Sequence, residues 1–209
     1  MVKKWWYCVL MLVGGCRILT GCSTTELEER CFPMTVFIGY EDGSFTYGAE
    51  FTKDGENGTS KGTLAKNSNF SKAKSGYENR LNKEADYNHL KVFVIEEDLL
   101  EQKNAYEEML EDLAQTEEFP RNTYVCVVDE VDDLFELQKN ISQDIGTYVE
   151  EYLKKQEEKK NRLLTLGDLI DEKENHAMVL YLPYLEVEEN FIEWKGYMNT
   201  SGKVWKDSY

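Results

Sequence analysis

The chain has 209 residues, with 40 acidic side chains against 24 basic ones and a formal net charge of −16 at pH 7. Such a surface repels phosphate backbones and anionic lipid head groups, which sets aside both nucleic acid and attachment to a membrane through a basic patch. With 41% apolar and 12% aromatic residues the acidity does not prevent a core, so the chain reads as globular rather than disordered.

Residues 1–21 read as a targeting segment. Lys3 and Lys4 precede an uncharged, mostly apolar stretch from Trp5 to Gly15, and small residues follow just before Cys22. Crossing a bilayer takes about 20 apolar residues, so this order predicts a cleaved secretory signal rather than a spanning helix. Leu19-Thr20-Gly21-Cys22 has the form of a bacterial lipobox, in which the cysteine is diacylated and becomes the new N-terminus. Cys22 is therefore the expected lipidation site, and its acyl chains the expected anchor on the exported face of a membrane. Arg17 is a charge where such signals are apolar, and Cys16 after Val13-Gly14-Gly15 is a poorer second site. An ordinary cleaved signal with a chance cysteine is the alternative reading. Processing would remove Lys3, Lys4 and Arg17 and take the charge to about −19. The remaining 22–209 has the size of one domain.

Of five cysteines, Cys8 and Cys16 lie in the signal and Cys22 is committed to lipid. Cys31 and Cys126 remain, each in an apolar strand-like run where a buried free thiol is the usual outcome. An exported location also permits a disulfide between them, which spacing alone does not decide.

Ser23 to Glu29 is polar and reads as a tether. Phe32 to Tyr40 and Phe45 to Phe51, rich in aromatic and β-branched residues, flank Glu41-Asp42-Gly43 and predict a hairpin. Lys53 to Asn69, with Gly55, Gly58 and Gly62, reads as a surface loop. Phe70 to Glu84 is a weak helix interrupted by Gly76. His89 to Ile95 is an apolar run expected to be a buried strand. From Leu99 to Gln115 the apolar residues Tyr106, Met109, Leu110, Leu113 and Ala114 recur at helical spacing. Asn122 to Val128 is the next strand. A second periodic helix places Ile141, Ile145, Tyr148, Val149, Tyr152 and Leu153 on one side. Thr165-Leu166-Gly167-Asp168 fits a capping box. Ala177 to Leu182 is a strand stopped by Pro183, and Phe191 to Trp205 supplies one or two more. The order predicts an α/β (α+β) fold: a mixed β-sheet flanked by helices, after an N-terminal β-hairpin, with Val92, Val94, Val125, Val127, Leu180 and Leu182 buried.

Residues that carry chemistry are sparse. His89 and His176 are the two histidines, one at a strand start and one in a loop, and both read as structural or surface groups. No serine stands in a Gly-x-Ser-x-Gly elbow, and the glycines from Gly55 to Gly62 lack the Gly-Lys-Ser/Thr ending of a phosphate cradle. Asp129-Glu130-Val131-Asp132-Asp133 is dense in carboxylates but lacks the spacing that wraps ligands around calcium. It reads instead as a solvated acidic loop leading into a helix N-terminus. The residues point to no catalytic group, metal or cofactor.

Several segments together resemble the Ger(x)C family, the lipoprotein C subunits of bacterial nutrient germinant receptors. The lipobox through Cys22 is followed by Glu26-Leu27-Glu28-Glu29, and Thr35 to Asp42 is similar to the family's first strand. His89 to Ile95, Phe119 to Val125, Leu164 to Ile170 and Leu182 to Val187 resemble later segments in the same order. Ser23 stands where the family has a tryptophan, and the chain stops just beyond what resembles the family's N-terminal domain. The resemblance implies a non-enzymatic, membrane-anchored subunit acting in spore germination beside polytopic partner subunits, on the spore inner membrane. The alternatives are a free-standing solute-binding lipoprotein, with its pocket at the carboxyl ends of the strands, or a truncated, non-functional family member.

Overall fold

Val92 to Ile95 and Val125 to Val128 are apolar at every position, and a strand apolar on both faces has to be covered on both. The computed structural model describes residues 29–51, 64–159, 161–175, 180–199 and 204–205. In it these runs are β6 (Val92–Glu96) and β7 (Tyr124–Val128), the parallel centre of a nine-stranded mixed sheet. β2 (Pro33–Glu41) lies parallel to β6 on one side, and β9 (Tyr181–Val187) parallel to β7 on the other. Antiparallel strands extend both flanks: β3 (Ser44–Phe51) and β4 (Ala65–Asn67) beyond β2, β10 (Ile192–Asn199) and β11 (Val204–Trp205) beyond β9. The short β8 (Leu164–Thr165) shares an edge of β7 with β9. Cys31, closing the two-residue β1 (Arg30–Cys31), runs beside β5 (Glu84–Ala85), where the Asp86 N–H donates to its carbonyl at 2.9 Å.

Alternation along the strands divides the core in two. Val36, Ile38, Phe93, Ile95, Val125 and Val127 face one layer of helices, α1 (Phe70–Glu78), α2 (Glu97–Glu101), α3 (Lys103–Gln115) and α6 (Leu166–Asn175). Phe37, Val92, Val94, Cys126 and Val128 face the other, α4 (Val131–Asn140) and α5 (Ile145–Glu158). The six positions expected to be buried, Val92, Val94, Val125, Val127, Leu180 and Leu182, are all in the core. The β2–β3 hairpin turns at Asp42 and Gly43 with φ of 51° and 73°, the left-handed pair that suits a two-residue connection. Cys31 and Cys126 are buried free thiols in the cores on opposite faces of the sheet, which keeps them from pairing.

Several boundaries differ from the expectation. The strand begins at Val92 rather than His89, because Tyr87–His89 winds into a 3-10 turn whose Asn88 N–H is held by the Asp86 carboxylate at 3.1 Å. The helix at 99–115 breaks at Gln102 into α2 and α3, and Ala114 is exposed. Ile141 lies between α4 and α5 rather than within one helix. α1 runs through Gly76 and ends at Glu78, and the loop ascribed to 53–69 contains β4. Pro183 lies inside β9 rather than stopping it; the ladder with β7 starts only at Tyr184, so no bond from Pro183 to β7 is lost.

Within the segment expected to finish the sheet, β10 pairs antiparallel to β9 and β11 pairs back on β10 at Tyr197↔Trp205, while residues 200–203 lie outside the described residues. A bulge between Trp194 and Gly196, where Gly196 takes φ 130°, inserts Lys195 and leaves Trp194 and Tyr197 edge to face, with centroids 5.2 Å apart. Trp194 is half-buried against the α4–α5 core. Among the described residues no helix is long and apolar enough to cross a membrane.

Candidate functional site at the carboxyl ends of the strands

The parallel strands β2, β6, β7 and β9 end along one edge, and each of the last three is followed at once by carboxylates. Glu96 closes β6 and turns across β2 at Gly39, where a Cβ would stand 1.6 Å from its Oε2. Only glycine leaves that room. Glu96 Oε1 accepts the Val131 N–H at 2.9 Å and so caps α4, whose own N-cap residue Glu130 supplies no such bond. Burial pushes the Glu96 carboxyl up, the Val131 amide pulls it back, and Asp98, Asp132 and Glu130 push the same way as burial.

One residue along, Glu97 meets Asp129 and Tyr184. The Tyr184 hydroxyl lies 2.7 Å from Glu97 Oε2 and 2.7 Å from Asp129 Oδ1. A hydroxyl has one proton to donate, so two ionised carboxylates cannot both be satisfied by it. The electrostatics separate the two acids accordingly. Burial first, then Asp129, raises Glu97, while the Tyr184 hydrogen bond first, and more weakly the Lys195 charge, lowers Asp129. As the pH falls Glu97 is thus the member that takes up a proton first, and Asp129 the one that stays ionised longer. Burial and both acids push Tyr184 far above its ordinary value, which keeps it a donor.

Beside this group, α4 and the β9–β10 connection enclose a cleft of about 530 Å³ lined by Asp133, Glu136, Lys139, Asn140, Glu188 and Glu189. Lys139 is paired with Glu136, and Asn140 Nδ2 donates to the Glu189 carbonyl at 2.7 Å. The edge therefore offers acceptors and negative charge. As expected, Asp129 and Glu130 are exposed, and Asp132 and Asp133 sit in the first turn of α4, where the helix dipole favours negative charge. Among the described residues no group of three or more His, Cys, Asp or Glu is placed to hold a metal ion. His89 is exposed and packs edge to face with Phe32, with ring centroids 5.0 Å apart, before the start of β6 and so at the opposite end of that strand. Cys22 and His176 lie outside the described residues. Sequence reasoning singled out Asp129 to Asp133 but not Glu96, Glu97 or Tyr184; two acids directly after an apolar strand were the available signal for the glutamates.

From Cys31 onward the described residues thus form a three-layer α/β domain with an acidic edge and a carboxyl pair that shares one hydroxyl, and among them no histidine or cysteine stands at that edge. Residues 23–187 match the family described as "Spore germination protein N-terminal domain", and the chain belongs to that family. The match closes at Val187, the last residue of β9, so β10 and β11 lie beyond it. No curated protein and no solved structure matches the chain. Membership gives the chain a germination-related role.

Proposed function

We propose that this protein is a lipid-anchored, non-enzymatic subunit of a nutrient germinant receptor, held by diacylated Cys22 on the outer face of the spore inner membrane and docked on polytopic partner subunits. The observation that carries the reading is the family match, which opens at residue 23, one position past the lipobox cysteine. A domain whose family match opens directly behind the acylated residue is confined to the membrane surface. That confinement raises its effective concentration near membrane partners without any extensive interface of its own. The acidic edge then serves as a charged face that keeps the domain off anionic head groups.

Two linked experiments test this. Deleting the gene should slow or abolish germination in response to at least one nutrient, and an unchanged response to every nutrient counts against receptor membership. Cys22→Ala should abolish labelling by fatty acid and leave an unprocessed precursor; labelling lost only with Cys16→Ala would move the site. The cleft at the strand carboxyl ends favours solute capture as a second reading. Its acidic lining restricts such a solute to a cation, and equilibrium dialysis with arginine and lysine separates this reading from the first.

A further inference from the structure

Glu50, 2% exposed, is the one charged side chain among the described residues that the fold buries in its core layers. It stands on β3 on the face turned towards α4 and α5, and its carboxylate gathers four hydrogen bonds. Oε1 accepts Gln138 Nε2 of α4 at 2.8 Å and the Ile145 N–H at 2.6 Å. Oε2 accepts Thr35 Oγ1 of β2 at 3.0 Å and the Gly146 N–H at 3.0 Å. The two amides open α5, and Asp144, the N-cap residue of that helix, makes no side-chain cap of its own. The approach is close: a Cβ on Gly146 would stand 2.6 Å from both the Met34 carbonyl oxygen and Thr35 Oγ1. One carboxyl group thus ties β2, α4 and the start of α5 to β3.

Burial raises the Glu50 carboxyl, the Ile145 and Gly146 amides and Thr35 lower it, and Asp144 raises it again, leaving it at about 7 against an ordinary 4.5. β2 and α4 face it with the neutral Thr35 and Gln138. α5 brings Asp144 before its first turn. Further along that helix is the Lys91–Glu150 pair at 3.1 Å, with Lys91 also donating to Thr147 Oγ1 at 3.2 Å. The Thr35 hydroxyl both donates and accepts, so it serves the carboxyl in either protonation state.

We propose that Glu50 is a proton-operated latch: protonated, it ties the first turn of α5 and the α4–α5 connection to the sheet without a charge in the core, and its ionisation places there a charge that the four donors offset only in part, which loosens that layer. The sign follows from linkage. A group that binds its proton more tightly in the folded state contributes stability that is complete below its unfolded value and is lost as the pH rises through its folded value. For values of about 4.5 and 7, the folding equilibrium constant falls by roughly 70-fold between pH 5 and pH 8 from this group alone.

The test is made on the full chain in detergent. Carbon-13 NMR of the glutamate carboxyl groups should show Glu50 titrating near neutrality. Urea unfolding at pH 5 and pH 8 should show wild type losing tens-fold more of its folding constant than Glu50→Gln across that range. Amides of Ile145 and Gly146, corrected for intrinsic exchange, should lose protection over the same interval. Asp144→Asn, which removes a like charge, should move the transition to lower pH. A Glu50 carboxyl that titrates at or below 4.5 overturns the proposal, and so does a Glu50→Gln variant with the wild-type pH slope. Should Glu50→Gln fail to fold, the wild-type titration and the Asp144→Asn shift decide alone.

Discussion

Replacing Gly39 with alanine should unseat the start of a helix through a side chain that neither residue belongs to. The new Cβ would lie 1.6 Å from Glu96 Oε2, 2.7 Å from Glu96 Cδ and 2.6 Å from Thr46 Oγ1. These atoms end flexible side chains and can swing away, so the cost is not the overlap but the bond they abandon. Glu96 leaves the Val131 N–H, and α4 loses its only described side-chain cap. Losing a cap costs about 1 kcal/mol and removing a charge from a helix N-terminus about 0.5 kcal/mol more. Alanine in a strand returns about 0.5 kcal/mol relative to glycine, for a net loss near 1 kcal/mol. Glu96→Ala alone should cost about 1.5 kcal/mol by the same reasoning. In the Glu96→Ala background, Gly39→Ala should be neutral or slightly stabilising. Urea midpoints of the four proteins close a double-mutant cycle with a coupling energy of about 1.5 kcal/mol. Costs that simply add, within about 0.4 kcal/mol, would refute the route through Glu96.

Val94→Ala, fully buried on the central strand between Phe37 and Cys126, should cost about 1–3 kcal/mol, and an unmoved denaturation midpoint would mean that this strand is not central. Tyr184→Phe removes the donor shared by Glu97 and Asp129 and should cost about 1 kcal/mol near neutral pH. Because Asp129 is the lowered acid, the stability that it contributes is present above its ordinary value of 3.8 and is lost as the pH falls through its folded value. The gap between wild type and Tyr184→Phe should therefore narrow in acid, and thermal melts from pH 7 to pH 3 would show it; a gap that widens would reverse the order in which the two acids take up protons.

What the sequence carried most clearly was continuous apolar runs and local caps. β6 and β7 stand out because Val92 to Ile95 and Val125 to Val128 are apolar at every position, and the β2–β3 turn because Asp-Gly supplies two left-handed residues. The capping box at Thr165 forms as its residue types require, with the Thr165 N–H donating to Asp168 at 2.7 Å. Periodicity misled where two helices meet in nearly continuous phase: Ile141 falls on the α5 stripe, yet the chain leaves helical geometry there. Pro183 misled for a different reason, since its cost depends on whether a neighbouring strand needs its missing N–H. The acidic edge was half legible. Asp129 to Asp133 are adjacent in sequence, whereas Glu97, Asp129 and Tyr184 meet only because β6, β7 and β9 lie side by side. Glu50 had no signal at all, as one glutamate in an aromatic strand looks like an outward-facing residue.

The two helical layers differ in where their ends are completed, and this sets an order of assembly. α1 takes its cap from Asn69 and α6 from Thr165 and Asp168, within three residues of the helix start. α4 and α5 draw theirs from Glu96 and Glu50, separated from the amides they bind by 35 and 95 positions. Helix ends that depend on so distant a partner gain nothing until the loop between them has closed. α1 and α6 can therefore nucleate locally, while α4 and α5 consolidate after β3 and β6 are in place, late on the folding pathway. Substitutions at the α5 start should accordingly hasten unfolding and leave the refolding rate nearly unchanged. Since β3 and β6 precede both helices along the chain, the template is already synthesised when the segments that need it emerge.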